Sequence, residues 1–157
     1  MSALTLSSRR WRLLSSAASW TLIALLLNLP WEIAQLRLYT IPLATSATQV
    51  AFAVAHCTVG DVVLATASFV VAAVALGDSS WPLSHPWRGG IIVVLLGVAY
   101  TAYTEWHSVY QAGYWGYTPS MPLVFGIGLA PLLQWVFIPV CAVSIIRVRR
   151  TARQVAY

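Results

Sequence analysis

The sequence predicts an all-α fold: an integral membrane four-helix bundle with both termini cytoplasmic. Three observations predict it. The 157 residues are 59% hydrophobic and 8% charged, against roughly 25% charged in an ordinary soluble domain. Four apolar runs, at about 17–39, 48–76, 90–110 and 122–146, are each about as long as the roughly 20 residues that a helix needs to cross a hydrocarbon core. All nine basic residues are arginine. Arg9, Arg10 and Arg12 precede the first run and Arg147, Arg149, Arg150 and Arg153 follow the last, which is how orientation determinants are placed.

The first run, "ALLLNLPWEIAQLRLY" in its second half, breaks its apolar character with Asn28, Glu32 and Gln35. Separations of four and three put these three on one helix face. Pro30 removes a backbone donor just before Glu32, which either kinks the helix or only shapes its packing. The first connector, "YTIPLATSAT", carries proline and small polar residues. A cleaved signal peptide ending near "ATSA" is the competing reading of this region, but its apolar part is long, and cleavage would leave an odd number of spans with arginines at one end only.

The second run holds His56, Cys57 and Asp61, of which Cys57 and Asp61 share a face. A turn-rich connector, "GDSSWPLSHPWRGG", follows it. The third run ends on two adjoining stripes: Thr101, Glu105 and Ser108 form one, and Tyr100, Tyr103 or Thr104, and His107 the other. "QAGYWGYTPSMP" mixes glycine, proline and aromatics before the fourth run, where "GIGLAP" permits close backbone approach ahead of Gln134. Trp11, Tyr39, Trp81, Trp87, Tyr110, Tyr114, Trp115 and Tyr117 fall near the span ends and read as interfacial anchors. Residues 1–157 make one domain in this reading, and an even number of spans places both ends in the cytoplasm of a bacterial inner membrane, with the first and third connectors outward.

Three of the four acidic residues, Glu32, Asp61 and Glu105, lie inside spans on three different helices. A charge near the bilayer centre costs from about 2.5 kcal/mol upward, so such residues face the bundle interior and carry a role. At about 1.5 Å of rise per residue, they gather with His56 and His107 in the outward half.

Several chemistries are open to this set. As an enzyme, Glu32, Asp61 and Glu105 would be the acid and base groups for hydration, double-bond isomerisation or cyclisation of a lipid or isoprenoid. Asn28, Gln35 and Gln134 would orient substrate, and Trp31, Trp106, Tyr100 and Tyr103 would supply an aromatic lining. As a metal centre, His56, His107, Glu32 and Glu105 offer nitrogen and oxygen ligands suited to zinc, iron or manganese. As an electron-transfer subunit, His56 and His107 would be the axial ligands of a haem. A non-enzymatic subunit or small transporter would use the cluster as packing or as a proton relay, with Arg37 the natural salt partner of Glu32 or Glu105.

Partners implied are the lipid bilayer, a lipid-like small molecule, and a membrane protein or a second copy of the chain. Nucleic acid is not among them, because the arginines flank the spans instead of forming a patch. Cys57 and Cys141 lie in apolar segments and give no disulfide scaffold. Phosphate loops, G-x-S-x-G and dinucleotide fingerprints are absent. The combination "NLPWE", "HCTVGD", "TEWHSVYQAGYWGYTPSMP" and "GIGLAPLLQW" resembles small bacterial four-span membrane proteins. That resemblance runs from Asn28 to Pro139 and implies one domain of this size, without an activity.

Overall fold

The computed structural model describes residues 3–41 and 46–155. Helix α1, Ala3–Gln35, runs into a tight turn at Leu36–Leu38. Helix α2 spans Ala47–Ala75, the short α3 Trp81–Ser84, and α4 Pro86–Trp106, which continues as a wider π-type turn over His107–Gln111. A two-stranded hairpin, β1 at Leu123–Val124 and β2 at Ile127–Gly128, precedes α5 at Leu129–Val155. Among the described residues, four helices are long and apolar enough to cross a membrane, over Trp11–Leu38, Ala47–Ala75, Pro86–Gln111 and Leu129–Ala152. They pack as a ring in which α1 touches α2 and α5, and α4 touches the same two. The expected first connector falls partly on residues 42–45, outside the described residues, as do the side chains of Arg9, Arg10 and Arg153.

The helix boundaries differ from the expected runs: α1 begins at Ala3 and ends at Gln35, α5 continues to Val155, and the starts of α4 and α5 both move. Helix α4 starts at Pro86 because proline's fixed φ and missing N–H suit a first helical turn. Helix α5 starts at Leu129, not near residue 122, because Phe125 and Gly126 both adopt positive φ, 51° and 82°, and turn the chain into a hairpin. The Tyr110 hydroxyl donates to the Gly126 carbonyl at 2.7 Å and pins that turn. Helix α1 passes Pro30 as one continuous helix.

The buried faces explain the ring. On α1 they are Trp20, Ile23, Ala24, Asn28, Glu32 and Gln35; Trp20, Ala24, Asn28, Glu32 and Gln35 are spaced by four, four, four and three with Ile23 beside Ala24, so one stripe runs down the helix. On α4 they are Gly89, Val93, Gly97, Thr101, Glu105 and Ser108, again a single stripe. Leu22, Leu25, Leu26, Leu29 and Ile33 of α1, like Ile91, Leu95 and Leu96 of α4, face outward. Both stripes change character along their length, apolar toward the termini and polar toward the opposite, distal end.

The apolar half is a core of Trp20, Ile23, Phe69, Ala72, Ala73, Trp81, Val93 and Ala142. Trp20, Phe69 and Trp81 pack ring on ring at centroid separations of 5.3 to 5.6 Å. Their polar edges are satisfied: Trp20 Nε1 donates to the Ala65 carbonyl at 3.0 Å and Trp81 Nε1 to that of Phe69 at 3.3 Å. Trp81 is fully buried, which corrects its reading as an interfacial anchor. The short α3 folds it under the bundle against Gly89, where a β-carbon would come within 2.0 Å of the indole. Trp11, Trp87, Tyr110 and Tyr114 are exposed near the span ends, as anchors would be. Beyond α2, hydrogen bonds from the Ser84 hydroxyl and the Ser80 amide hold the Asp78 carboxyl below the ordinary carboxylate range.

Candidate functional site

Gln134 is the hub of the polar half. It is buried on α5, and its Nε2 donates to Asn28 Oδ1 and to Asp61 Oδ2, both at 2.7 Å. Its Oε1 accepts from Gln35 Nε2 at 3.4 Å, and that same nitrogen donates to Glu32 Oε1 at 2.6 Å. Trp31 Nε1 donates to Gln35 Oε1 at 3.2 Å and so orients the amide from behind. Asn28 Nδ2 closes back on the Ala24 carbonyl at 2.8 Å. Three helices are thus tied together through amides, each with a donor and an acceptor to offer.

Glu32 and Asp61 are neighbours in this network, Glu32 held by the Gln35 amide and Asp61 by the Gln134 amide. Two neighbouring carboxyl groups can share a single proton, one donating and the other accepting.

Glu105 has a separate, aromatic setting. Tyr117 donates its hydroxyl to Glu105 Oε2 at 2.7 Å, and the Tyr39 hydroxyl and the Trp115 indole N–H lie near the same carboxyl. Burial, and then the hydrogen bond to Glu105, keep the Tyr117 hydroxyl protonated well above its ordinary range, so it remains a donor. Tyr39 stacks obliquely on Tyr117, 5.7 Å between centroids, and edge-on to Trp115 at 6.4 Å. The Trp115 Nε1–H is buried without a hydrogen-bond partner among the described residues.

These rings are placed by stitching between the two distal connectors. Thr40 N donates to the Gly116 carbonyl at 2.9 Å, Gly116 N to Thr40 Oγ1 at 2.9 Å, and Thr118 N to the Leu38 carbonyl at 2.9 Å. Tyr39 and Tyr117 form an antiparallel bridge at the same place.

Between the networks lies a cavity of about 310 Å³, at the lower end of the range for small-molecule sites. Glu32 and Gln35 of α1, Cys57 and Asp61 of α2, Thr101, Glu105 and Ser108 of α4, and Gln134 of α5 line it, with Tyr39 and Trp115 at its distal end. Among the described residues, no arginine or lysine lines it.

The sequence-predicted residues divide accordingly. Glu32, Asp61, Glu105, Gln35 and Gln134 meet at the cavity, and Asn28 is joined to it through Gln134. Trp31 lies behind Gln35, outside the lining. His56 is exposed at the cavity's edge, stacked on Phe52 at 5.9 Å. Tyr103, Trp106 and His107 are exposed on the outer surface of the bundle and do not line the cavity. Two residues after Glu105, His107 is turned by about 200°, so facing Glu105 inward sends it out.

Among the described residues no group of three or more histidine, cysteine, aspartate or glutamate side chains could hold a metal ion. The set His56, His107, Glu32 and Glu105 does not converge. Arg37 is exposed and not in the lining, so it is not the expected counter-ion of the cavity. Tyr39 and Trp115 line the cavity and Tyr117 bonds to Glu105, where their places near span ends suggest membrane anchors. Nothing local signals their role, because Tyr117 reaches Glu105 only when the loop after α4 folds back.

No family model, curated protein or solved structure matches this chain. The site's own geometry therefore carries the functional reading.

Proposed function

We propose that the protein is a multi-pass enzyme of a bacterial inner membrane that performs acid–base chemistry on a lipid-soluble molecule. The observation that carries this reading is the convergence of Glu32, Asp61 and Glu105, from three helices, on one cavity without arginine or lysine in its wall. A merely structural cluster would be expected to neutralise its acids with a cation, since an unpaired buried charge is costly.

In this reading the Glu32 and Asp61 pair delivers its proton to a double bond or a leaving hydroxyl. A carboxylate, Glu105 across the cavity or the other member of the pair, then removes a proton from a neighbouring carbon. The sum is double-bond isomerisation in the first case and loss of water in the second. Tyr100 and Trp115 line the same space, and their faces favour the positive charge that develops in between.

Membranes of cells making the wild type are compared with those making Glu32→Gln or Asp61→Asn, by mass spectrometry of extracted lipids. The expected result is a lipid species converted to an isomer, or to one lighter by a water, with conversion falling about 100-fold or more in either variant. Identical lipid profiles, with variants as stable as wild type, would sink the enzyme reading.

The bonded amide network around Gln134 favours a second reading, a polar core that sets helix register in a subunit or small transporter. Under it the carboxamide variants alter stability or assembly and leave lipid composition unchanged.

Orientation follows from Arg12, Arg147, Arg149 and Arg150 at the terminal end. Both termini face the cytoplasm and the cavity lies toward the outer leaflet. Green fluorescent protein fused after Tyr157 is expected to fluoresce, and alkaline phosphatase at the same point to be inactive; the opposite pattern reverses the orientation.

A further inference from the structure

We infer that the cavity is entered sideways from the bilayer, through the gap between α2 and α4 framed by His56, Gly60 and Tyr100, by a molecule with an uncharged, oxygen-bearing head. This rests on the proposal that the cavity is a ligand site in a membrane.

The cavity wall is asymmetric. Its lining residues on α1 and α5, Glu32, Gln35, Pro131 and Gln134, are mostly or wholly buried, whereas the lining residues that are also exposed are His56 and Gly60 of α2, Tyr100 of α4, and Tyr114 in the distal connector after α4. Three of these four exposed residues lie on α2 and α4, so among the helices the open side is the α2/α4 side. A β-carbon added at Gly60 would meet nothing within 4 Å, so this helix position leaves room at the rim. Gly60 lies thirteen residues into the 29-residue α2, roughly 20 Å along it at about 1.5 Å per residue. That depth faces hydrocarbon, with exposed Val59 and Val63 beside it. Toward the distal end, by contrast, the described connectors are stitched together over Glu105.

The head group follows from the wall. Three carboxyl groups and no arginine or lysine disfavour a phosphate or carboxylate head. The buried Trp115 N–H lies near the Glu105 carboxyl but makes no hydrogen bond among the described residues, so it can take up an acceptor, which an ammonium head lacks. A hydroxyl both accepts from that N–H and donates to a carboxylate. The class of ligand is thus a long-chain or isoprenoid alcohol dissolved in the bilayer.

The test uses purified protein in phosphatidylcholine vesicles and a photoreactive, diazirine-bearing isoprenoid alcohol as the probe. Labelled peptides are expected from the cavity-lining parts of α2 and α4, and labelling should fall at least 10-fold in Gly60→Trp but not in Val63→Trp, which faces lipid on the same helix. If Gly60→Trp does not fold, His56→Trp blocks the gap from its other edge and is expected to give the same loss.

Excess unlabelled alcohol should compete, and a fatty acid of equal chain length should not. Undiminished cavity labelling in folded Gly60→Trp and His56→Trp overturns the lateral route, and competition by the fatty acid or by an alkylammonium in place of the alcohol overturns the head group. Loss of labelling in Gly60→Trp alongside an unchanged lipid profile in Glu32→Gln would leave the route standing while removing the chemistry.

Discussion

Gly97→Ala is expected to destabilise the protein by about 3 kcal/mol, the upper part of the range for overpacking a well-filled core. A β-carbon there would lie 2.1 Å from Cε3 and 2.2 Å from Cδ2 of Trp135. Trp135 cannot move aside easily, because it is 3% exposed and packed with Ala24 and Ala65 at the centre of the ring. In an open helix the same change would stabilise by up to about 1 kcal/mol, so the sign of the effect reports the packing.

Gly90, on the same helix with nothing within 4 Å of its added β-carbon, is the matched control, and Gly90→Ala should be neutral or mildly stabilising. Adding Trp135→Leu to Gly97→Ala should recover part of the loss by making room. Unfolding in detergent micelles measures all three. A Gly97→Ala protein as stable as wild type would mean that α4 and α5 do not approach as described.

The second large effect is expected at Gln134→Leu. The change keeps the volume roughly constant and removes two donated bonds of 2.7 Å and one accepted bond. Each buried polar group left without a partner costs about 1–3 kcal/mol in a soluble protein, whereas polar contacts between membrane helices average about 0.6 kcal/mol. Asn28, Asp61 and Gln35 all lose a partner, so a total of roughly 2 kcal/mol is expected from the membrane value.

The coupling is more informative than the total. Asn28→Ala and Gln134→Leu share a hydrogen bond, so their combined effect should be smaller than the sum of the two singles. Exact additivity would show that the bond between α1 and α5 contributes nothing. Lipid conversion should also fall in Gln134→Leu, because Asp61 loses the amide that orients it.

Much of the candidate site was legible residue by residue. The spacing of Asn28, Glu32 and Gln35, and of Thr101, Glu105 and Ser108, identified two inward stripes that the structure buries. Cys57 and Asp61 were likewise placed together on a face that lines the cavity. What misled was residue type read without its angle. His56 and His107 looked like ligands because histidine binds metals and lies at a suitable depth, yet both are exposed. Tyr39, Trp115 and Tyr117 looked like anchors because aromatics near span ends usually are. They instead surround Glu105 through contacts such as that between Thr40 and Gly116, 76 residues apart.

The sequence by itself determined four apolar helices, the faces on which their polar residues fall, and the gathering of the acids in one half of the bundle. Each of these follows from a local rule, the fixed rise and turn per residue of a helix whose backbone must bond to itself in lipid. Only the tertiary structure decided which faces meet, which aromatic residues cover Glu105, and where the cavity opens. Those depend on how each helix is rotated about its own axis, which is set by contacts such as Gly97 against Trp135 and Gly89 against Trp81, and on loops that bring distant segments together.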